Sequence, residues 1–153
     1  MILNRQRAVR VARRPLEKFL ARVRKELGLG EADVTICLVS DAEIARMNEA
    51  YRKKKGATDV LSFPEVERRA AVSLRRARRS SVSKPRSNQF LGDVAISPAT
   101  ARRNAKQLGR TLPGELQILI LHGILHLLGY DHETDSGEMD RVEHRLRQRL
   151  GLT

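Results

Sequence analysis

With 153 residues the chain is long enough for one domain with an ordinary buried core, and 41% hydrophobic residues exclude compositional disorder throughout. Thirty Lys+Arg against 18 Asp+Glu give a net charge of +12 and a pI of about 11.0. That excess favours a polyanionic partner, nucleic acid before anionic membrane, while 3% aromatic residues exclude base stacking as the main source of binding.

The single cysteine, Cys37, has no internal disulfide partner, which fits a reducing compartment. Arginines interrupt the N-terminal stretch MILNRQRAVRVARR where a secretory signal needs an apolar core. The longest apolar run, Leu116 to about Leu128, contains two histidines and is too short to span a bilayer. A cytoplasmic protein without a membrane segment is expected.

In chain order, Ile2–Asn4 is a candidate short strand. Pro15 suits a first helical turn, with Leu16, Phe19, Leu20, Val23 and Leu27 at helical spacing and Gly28 as the stop. VTICLV, from Val34 to Val39, reads as a strand. Ser40 and Glu43 have capping-box spacing for a helix burying Ile44, Met47 and Tyr51, closed by Lys53, Lys54, Lys55 and Gly56. VLSF, from Val60 to Phe63, is a strand ended by Pro64.

From about 65 to 90 a connection rich in serine and arginine lacks clear periodicity. Connections of that length are functional or disordered, and a mobile basic insertion is expected, with Arg75, Arg76, Arg78 and Arg79 as candidate nucleic-acid-binding residues beside Lys53, Lys54 and Lys55. A tolerated surface insertion is the alternative. DVAI, from Asp93 to Ile96, is the fourth strand. Ser97-Pro98 then opens a helix ended by Gly109, and Thr111 opens another ended by Gly129. The last helix is expected from Asp135, burying Met139, Val142, Leu146 and Leu150. Four strands mixed with about five helices make an α/β (α+β) domain with a small mixed sheet, spanning 1–153 as one unit.

The stretch HGILHLLGYDH, His122 to His132, holds three of the four histidines. On a helix, positions i and i+4 lie about 40° apart in azimuth and ~6 Å apart along the axis. His122 and His126 therefore share a face, as on a zincin-type helix. Continuing the helix would carry position 132 roughly 120° away, so the chain must break, and Gly129 suits a left-handed turn. Three protein ligands with one open position define a catalytic zinc site, with one Zn2+ per chain expected. Nickel, copper and iron also accept imidazole. Asp131 and Asp93 are weaker candidates, as hydrogen-bond partners behind the ligands or as proton carriers; Asp131 could equally serve its own turn. His144, off the apolar face of the last helix, reads as a surface residue.

Gly123 stands where H-E-x-x-H enzymes keep their general base. A mid-helix glycine costs ~1 kcal/mol against alanine, so it points to open space beside the metal or to close helix packing. Either way a peptidase of the usual zinc mechanism is disfavoured.

HGILHLLGYDH, YRKKKGATDVLSF at 51–63, LGDVAIS at 91–97 and the Glu138-Met139 start of the last helix together resemble the YbeY family of bacterial metal-dependent endoribonucleases. The resemblance runs from about residue 34 to the end and is looser before that. It implies single-strand-selective, zinc-dependent RNA cleavage in small-subunit ribosomal RNA maturation and ribosome quality control, with ribosomal RNA and the small subunit as partners of a monomeric chain. By position, it implies His122, His126 and His132 as zinc ligands and Arg52 as the catalytic arginine beside the cleft. The 65–90 segment departs from the family by its length, which bears on how substrate approaches. Two other functions stay open: a non-catalytic ribosome-assembly factor with structural zinc, and a zinc-dependent amide or peptide hydrolase.

Overall fold

The computed structural model describes residues 1–65, 90–131 and 134–152. The expected basic insertion, including Arg75, Arg76, Arg78 and Arg79, therefore lies outside the described residues, apart from its ends.

Four strands form one sheet: β1 (Ile2–Asn4), β2 (Asp33–Leu38), β3 (Val60–Pro64) and β4 (Phe90–Ile96). The order is β1-β2-β4-β3, with β1, β2 and β4 parallel and β3 antiparallel to β4. The fourth strand starts three residues before the expected Asp93, and its pairing shifts register between Asp33 and Val34. Five helices are described: α1 (Arg13–Glu26), α2 (Asp41–Arg52), α3 (Pro98–Leu108), α4 (Leu112–Leu127) and α5 (Glu138–Arg149). The mixed four-stranded sheet and five helices match the expected α/β class.

Strand alternation splits the sheet into two faces. Ile36, Val94 and Ser62 stand opposite one another on adjacent strands. This face builds the main core with Leu16, Phe19 and Val23 of α1 and Leu116, Ile120 and Ile124 of α4. The other face carries Leu61 and Ala95 against Val39 and Ile44, with Cys37, Met47 and Phe63 at its margin. Helix α2 thus covers one face, and α1 and α4 cover the other.

Helix ends follow local chemistry. The Ser40, Ser97 and Thr111 side chains each accept a backbone N–H, from Glu43, Thr100 and Gly114. The last helix begins at Glu138 rather than at the expected Asp135. Asp135 still caps it from outside, its carboxylate accepting from the Gly137 and Met139 N–H groups at 2.9 Å each. Tyr51 corrects another expectation, being 48% exposed. The small second core is filled by Ile44 and Met47, so Tyr51, in the last turn, packs its ring edge-on against Phe63 with centroids 4.6 Å apart.

Candidate metal centre

Helix α4 carries the histidine pair through the middle of the core. Between Ile118 and Leu127 every residue is buried except His122 and His126, which are half-buried. Each fully buried Leu or Ile side chain contributes about 1.5–3 kcal/mol, so the rod is held firmly against the sheet. At its start, buried Glu115 pairs with Arg110 at 3.0 Å.

Gly123 faces the sheet. A Cβ there would lie 2.5 Å from Val94 Cγ1 and 3.3 Å from Ser62 Oγ, and Ser62 Oγ donates to the Gly123 carbonyl at 3.0 Å. Of the two explanations for a glycine here, the structure selects close helix packing. Position 123 points into strand side chains, so a glutamate could not reach a metal from it.

The chain after α4 turns as the sequence suggests. Gly129, at φ 102°, donates to the His126 carbonyl at 3.0 Å, and Tyr130 N–H donates to the Leu125 carbonyl at 3.1 Å. These are the two bonds of a Schellman turn. The turn brings the Tyr130 carbonyl back onto His126 Nδ1, 3.0 Å away. From α5, Glu143 places a carboxylate oxygen 2.6 Å from His122 Nδ1. Burial works to raise the Glu143 carboxyl, but the His122 ring and Arg147 outweigh it and hold the group below its usual range. Its second oxygen lies 3.8 Å from Arg147.

Those partners set the tautomers. A carbonyl and a carboxylate can only accept, so both Nδ1 atoms donate, and the two Nε2 atoms are turned toward each other. The two Nε2 atoms are 3.1 Å apart. Two neutral lone pairs at that distance repel unless a proton or a metal cation lies between them. Nitrogens at 2.0–2.1 Å from a tetrahedral zinc stand about 3.3 Å apart, so the pair fits two positions of such a site with little adjustment. Hydrogen bonding of each ligand's other nitrogen is the usual support for imidazole on a metal.

The remaining candidates are placed as follows. His132 lies outside the described residues, and among the described residues no group of three metal-ligating side chains converges. The Asp131 carbonyl accepts from Thr134 and Asp135 N–H groups. Asp93 is paired with Thr35 and Phe63 on the sheet face away from α4; burial first, then its carboxylate, push the Cys37 thiol up. Arg52 ends α2, exposed, and belongs to the layer opposite the histidines. Lys53 caps that helix in the left-handed conformation at φ 56°, and Lys53, Lys54 and Lys55 are exposed. Buried Asn48 pins this turn by donating to the Gly56 carbonyl at 3.0 Å. His144 is exposed, as expected.

The residue that sequence reasoning missed is Glu143, 21 positions from His122. Its signal was weak: an acid on α5 one turn beyond Met139, on a helix whose apolar face had to pack somewhere.

Among known proteins, the family model "Endoribonuclease YbeY" matches residues 1–151, including the N-terminal stretch where the motifs alone fit loosely. Proteins of that name from Solibacter usitatus and Koribacter versatilis are 42% and 39% identical, over 96% and 99% of this chain and 86% of each relative. One from Aquifex aeolicus is 37% identical over 90% of this chain and 81% of its own length. The solution structure of TM1509 from Thermotoga maritima superposes with a TM-score of 0.61 at 25% identity, covering 98% of this chain and 89% of that one. Matched along nearly its whole length by the family model and by these relatives, the chain belongs to the YbeY endoribonuclease family.

Proposed function

We propose that this chain is a single-strand-specific, zinc-dependent endoribonuclease of small-subunit ribosomal RNA maturation and ribosome quality control. It works in the cytoplasm as a monomeric single domain, with ribosomal RNA and the small subunit as partners. Zinc ligands in this reading are His122, His126 and His132. The observation that carries it is the pair of Nε2 atoms 3.1 Å apart whose Nδ1 atoms are both committed to acceptors.

When bound, such an ion supplies Lewis-acid chemistry at a phosphodiester. The chain's own groups supply the rest. Glu143 and the Tyr130 carbonyl hold the two rings in the ligating tautomer. Arg52 is suited to a phosphate, since a guanidinium donates two parallel hydrogen bonds to its oxygens. To reach the histidine side from α2 it must act around the β3 edge. Lys53, Lys54 and Lys55, with Arg75, Arg76, Arg78 and Arg79, add phosphate contacts that weaken with salt. Asp131 and Asp93 are weaker candidates for proton transfer, and Asp93 is the less well placed because it faces Cys37. The packing of Gly123 against Val94 counts against a peptidase.

The test is a cleavage time course on single-stranded and duplex RNA by the purified protein, beside His126→Ala, Arg52→Ala and a zinc-stripped sample. Cutting of single strands that is lost in all three, and returns when zinc is restored to the stripped sample, is expected. Equal cutting in all four means contamination or another site. RNA binding without turnover favours an assembly factor with structural zinc. Cleavage of a peptide panel with RNA untouched favours the amide hydrolase.

A further inference from the structure

The positive charge of this chain is not spread over it. Residues 5–25 hold nine Lys/Arg and one acid, Glu17, and residues 66–89 hold eight and one, Glu67. Against a total of +12, all remaining residues therefore carry a net −3. Of the two basic stretches, the first is described, and it is built on a rigid element.

Buried Gln6 pins the loop before α1. Its side-chain amide donates to the Val9 carbonyl at 2.8 Å, and its carbonyl oxygen accepts from Val9 N–H at 3.0 Å. Arg7 and Arg10 project from this clamped loop, exposed. On α1, Arg14, Lys18, Arg22 and Lys25 are exposed and recur at spacings of four and three, so they form one stripe down the outer side. Both acids of this helix are held by partners outside it, although Glu26, four residues after Arg22, borders the stripe. Glu17 accepts from Ile2 N–H at 3.0 Å, and Glu26 pairs with Arg149 of α5 at 3.1 Å. Elsewhere the pattern differs: on α2 the exposed Arg46 sits between Glu43 and Glu49.

Helix α5 links this stripe to the metal centre. Arg22 donates to the Leu150 carbonyl at 3.1 Å, while Glu143 on the same helix bonds His122. Leu150, the C-cap of α5, is seven positions beyond Glu143, about 10 Å along the axis. A strand lying across the histidine pair thus has a row of cations within a few nucleotides of it.

We propose that the outer side of α1, with the Gln6-clamped loop before it, is a second RNA-backbone contact that holds the single strand flanking the cleaved bond. It reads phosphate and not base, because cations line it and aromatic rings do not. A membrane surface fits it less well. An interfacial helix must sink an apolar face into lipid, and the apolar face of α1, Leu16, Phe19, Leu20 and Val23, is already buried in the core.

The inference rests on the reading of the chain as a ribonuclease, and the test separates the two. The zinc-loaded protein is compared with Lys18→Glu/Lys25→Glu and with Arg46→Glu/Arg102→Glu, which changes net charge equally on other exposed surfaces. Each is assayed on a long single-stranded RNA and on a short one that little more than spans the cleaved bond. The stripe variant is expected to lower the ratio of kcat/KM on long over short RNA about tenfold, through KM. Its binding to long RNA should lose about 1.4 from the slope of log affinity against log salt, at ~0.7 per phosphate contact. Lys18→Gln/Lys25→Gln should give part of each effect, and the control pair neither.

Equal losses in both charge-reversed pairs would mean that net charge matters and the stripe does not. An unchanged ratio and slope in the stripe variant, while the wild type still cuts, would overturn the inference and leave the function standing. A wild type that neither binds nor cuts RNA would remove both. Anionic phosphatidylserine vesicles that compete with RNA for the wild type but not for the stripe variant would make the surface a membrane contact and overturn the RNA assignment.

Discussion

Helices α4 and α2 lie on opposite faces of one sheet, and they hold their candidate functional residues by different means. On α4 the two histidines emerge from a stretch, Ile118 to Leu127, that is otherwise buried, and each ring is fixed a second time through Nδ1. On α2 the candidate phosphate-binding cations sit at the exposed end: Arg52 in the last turn, then three lysines on a turn held by Asn48. The first arrangement suits an ion that tolerates little error in ligand position. The second suits a phosphate backbone, which long flexible cations can follow. Where geometry must be exact the fold supplies burial; where charge alone is needed it supplies a tether.

The sharpest way to break this comparison is to loosen one histidine without removing it. Glu143→Gln keeps the size of the side chain and removes its charge from His122 Nδ1. Metal affinity, measured by competition with a chromogenic chelator, should fall about ten- to a hundredfold. Unchanged affinity would mean that the ring is held by packing alone.

Packing itself is tested next. Gly123→Ala places a Cβ 2.5 Å from Val94 Cγ1, and a β-branched side chain has little rotamer freedom with which to yield. Overpacking costs about 1–3 kcal/mol, against ~1 kcal/mol gained from helix propensity. A net loss of up to about 2 kcal/mol is expected in denaturant melts, partly recovered by adding Val94→Ala. Gain of stability in the single variant would show that the helix can lift from the sheet at little cost, and the rigid half of the comparison would fail.

The smallest effect belongs to the α2 layer. Asp41, in its first turn, accepts from Ser97 and Thr100 hydroxyls and from Arg103 on α3. Burial works to raise the Asp41 carboxyl, but these bonds outweigh it and lower the group below its ordinary value. A lowered folded pKa means that the contribution is complete above the unfolded value of about 3.9 and is lost as pH falls through the folded one. The difference in Tm between wild type and Asp41→Asn should therefore be largest near neutrality and shrink below about pH 4. A difference constant with pH would assign the effect to the shape of the side chain and not to its charge.

Much of the local structure was legible before any fold was known. Ser40, Ser97 and Thr111 marked three helix starts, Gly129 marked the break after α4, and the spacing of His122 and His126 put them on one face. Each of these rests on groups a few residues apart, whose hydrogen bonds and azimuths the backbone itself dictates. Tyr51 and Asp93 were less legible, because periodicity says which residues share a face and not which neighbour that face will meet. Tyr51 ran past the edge of a small core, and Asp93 turned toward Cys37 instead of the histidines.

The sequence by itself determined the strands, the helices, the spacing of the histidine pair and the two stretches that carry the charge. Only the tertiary structure decided that Glu143 would stand 2.6 Å from His122, that Gly123 would lie against Val94, and that the outer side of α1 would be tied to the histidine pair through α5. These are contacts between elements far apart in the chain. They are fixed by how buried faces interlock, which no local pattern records.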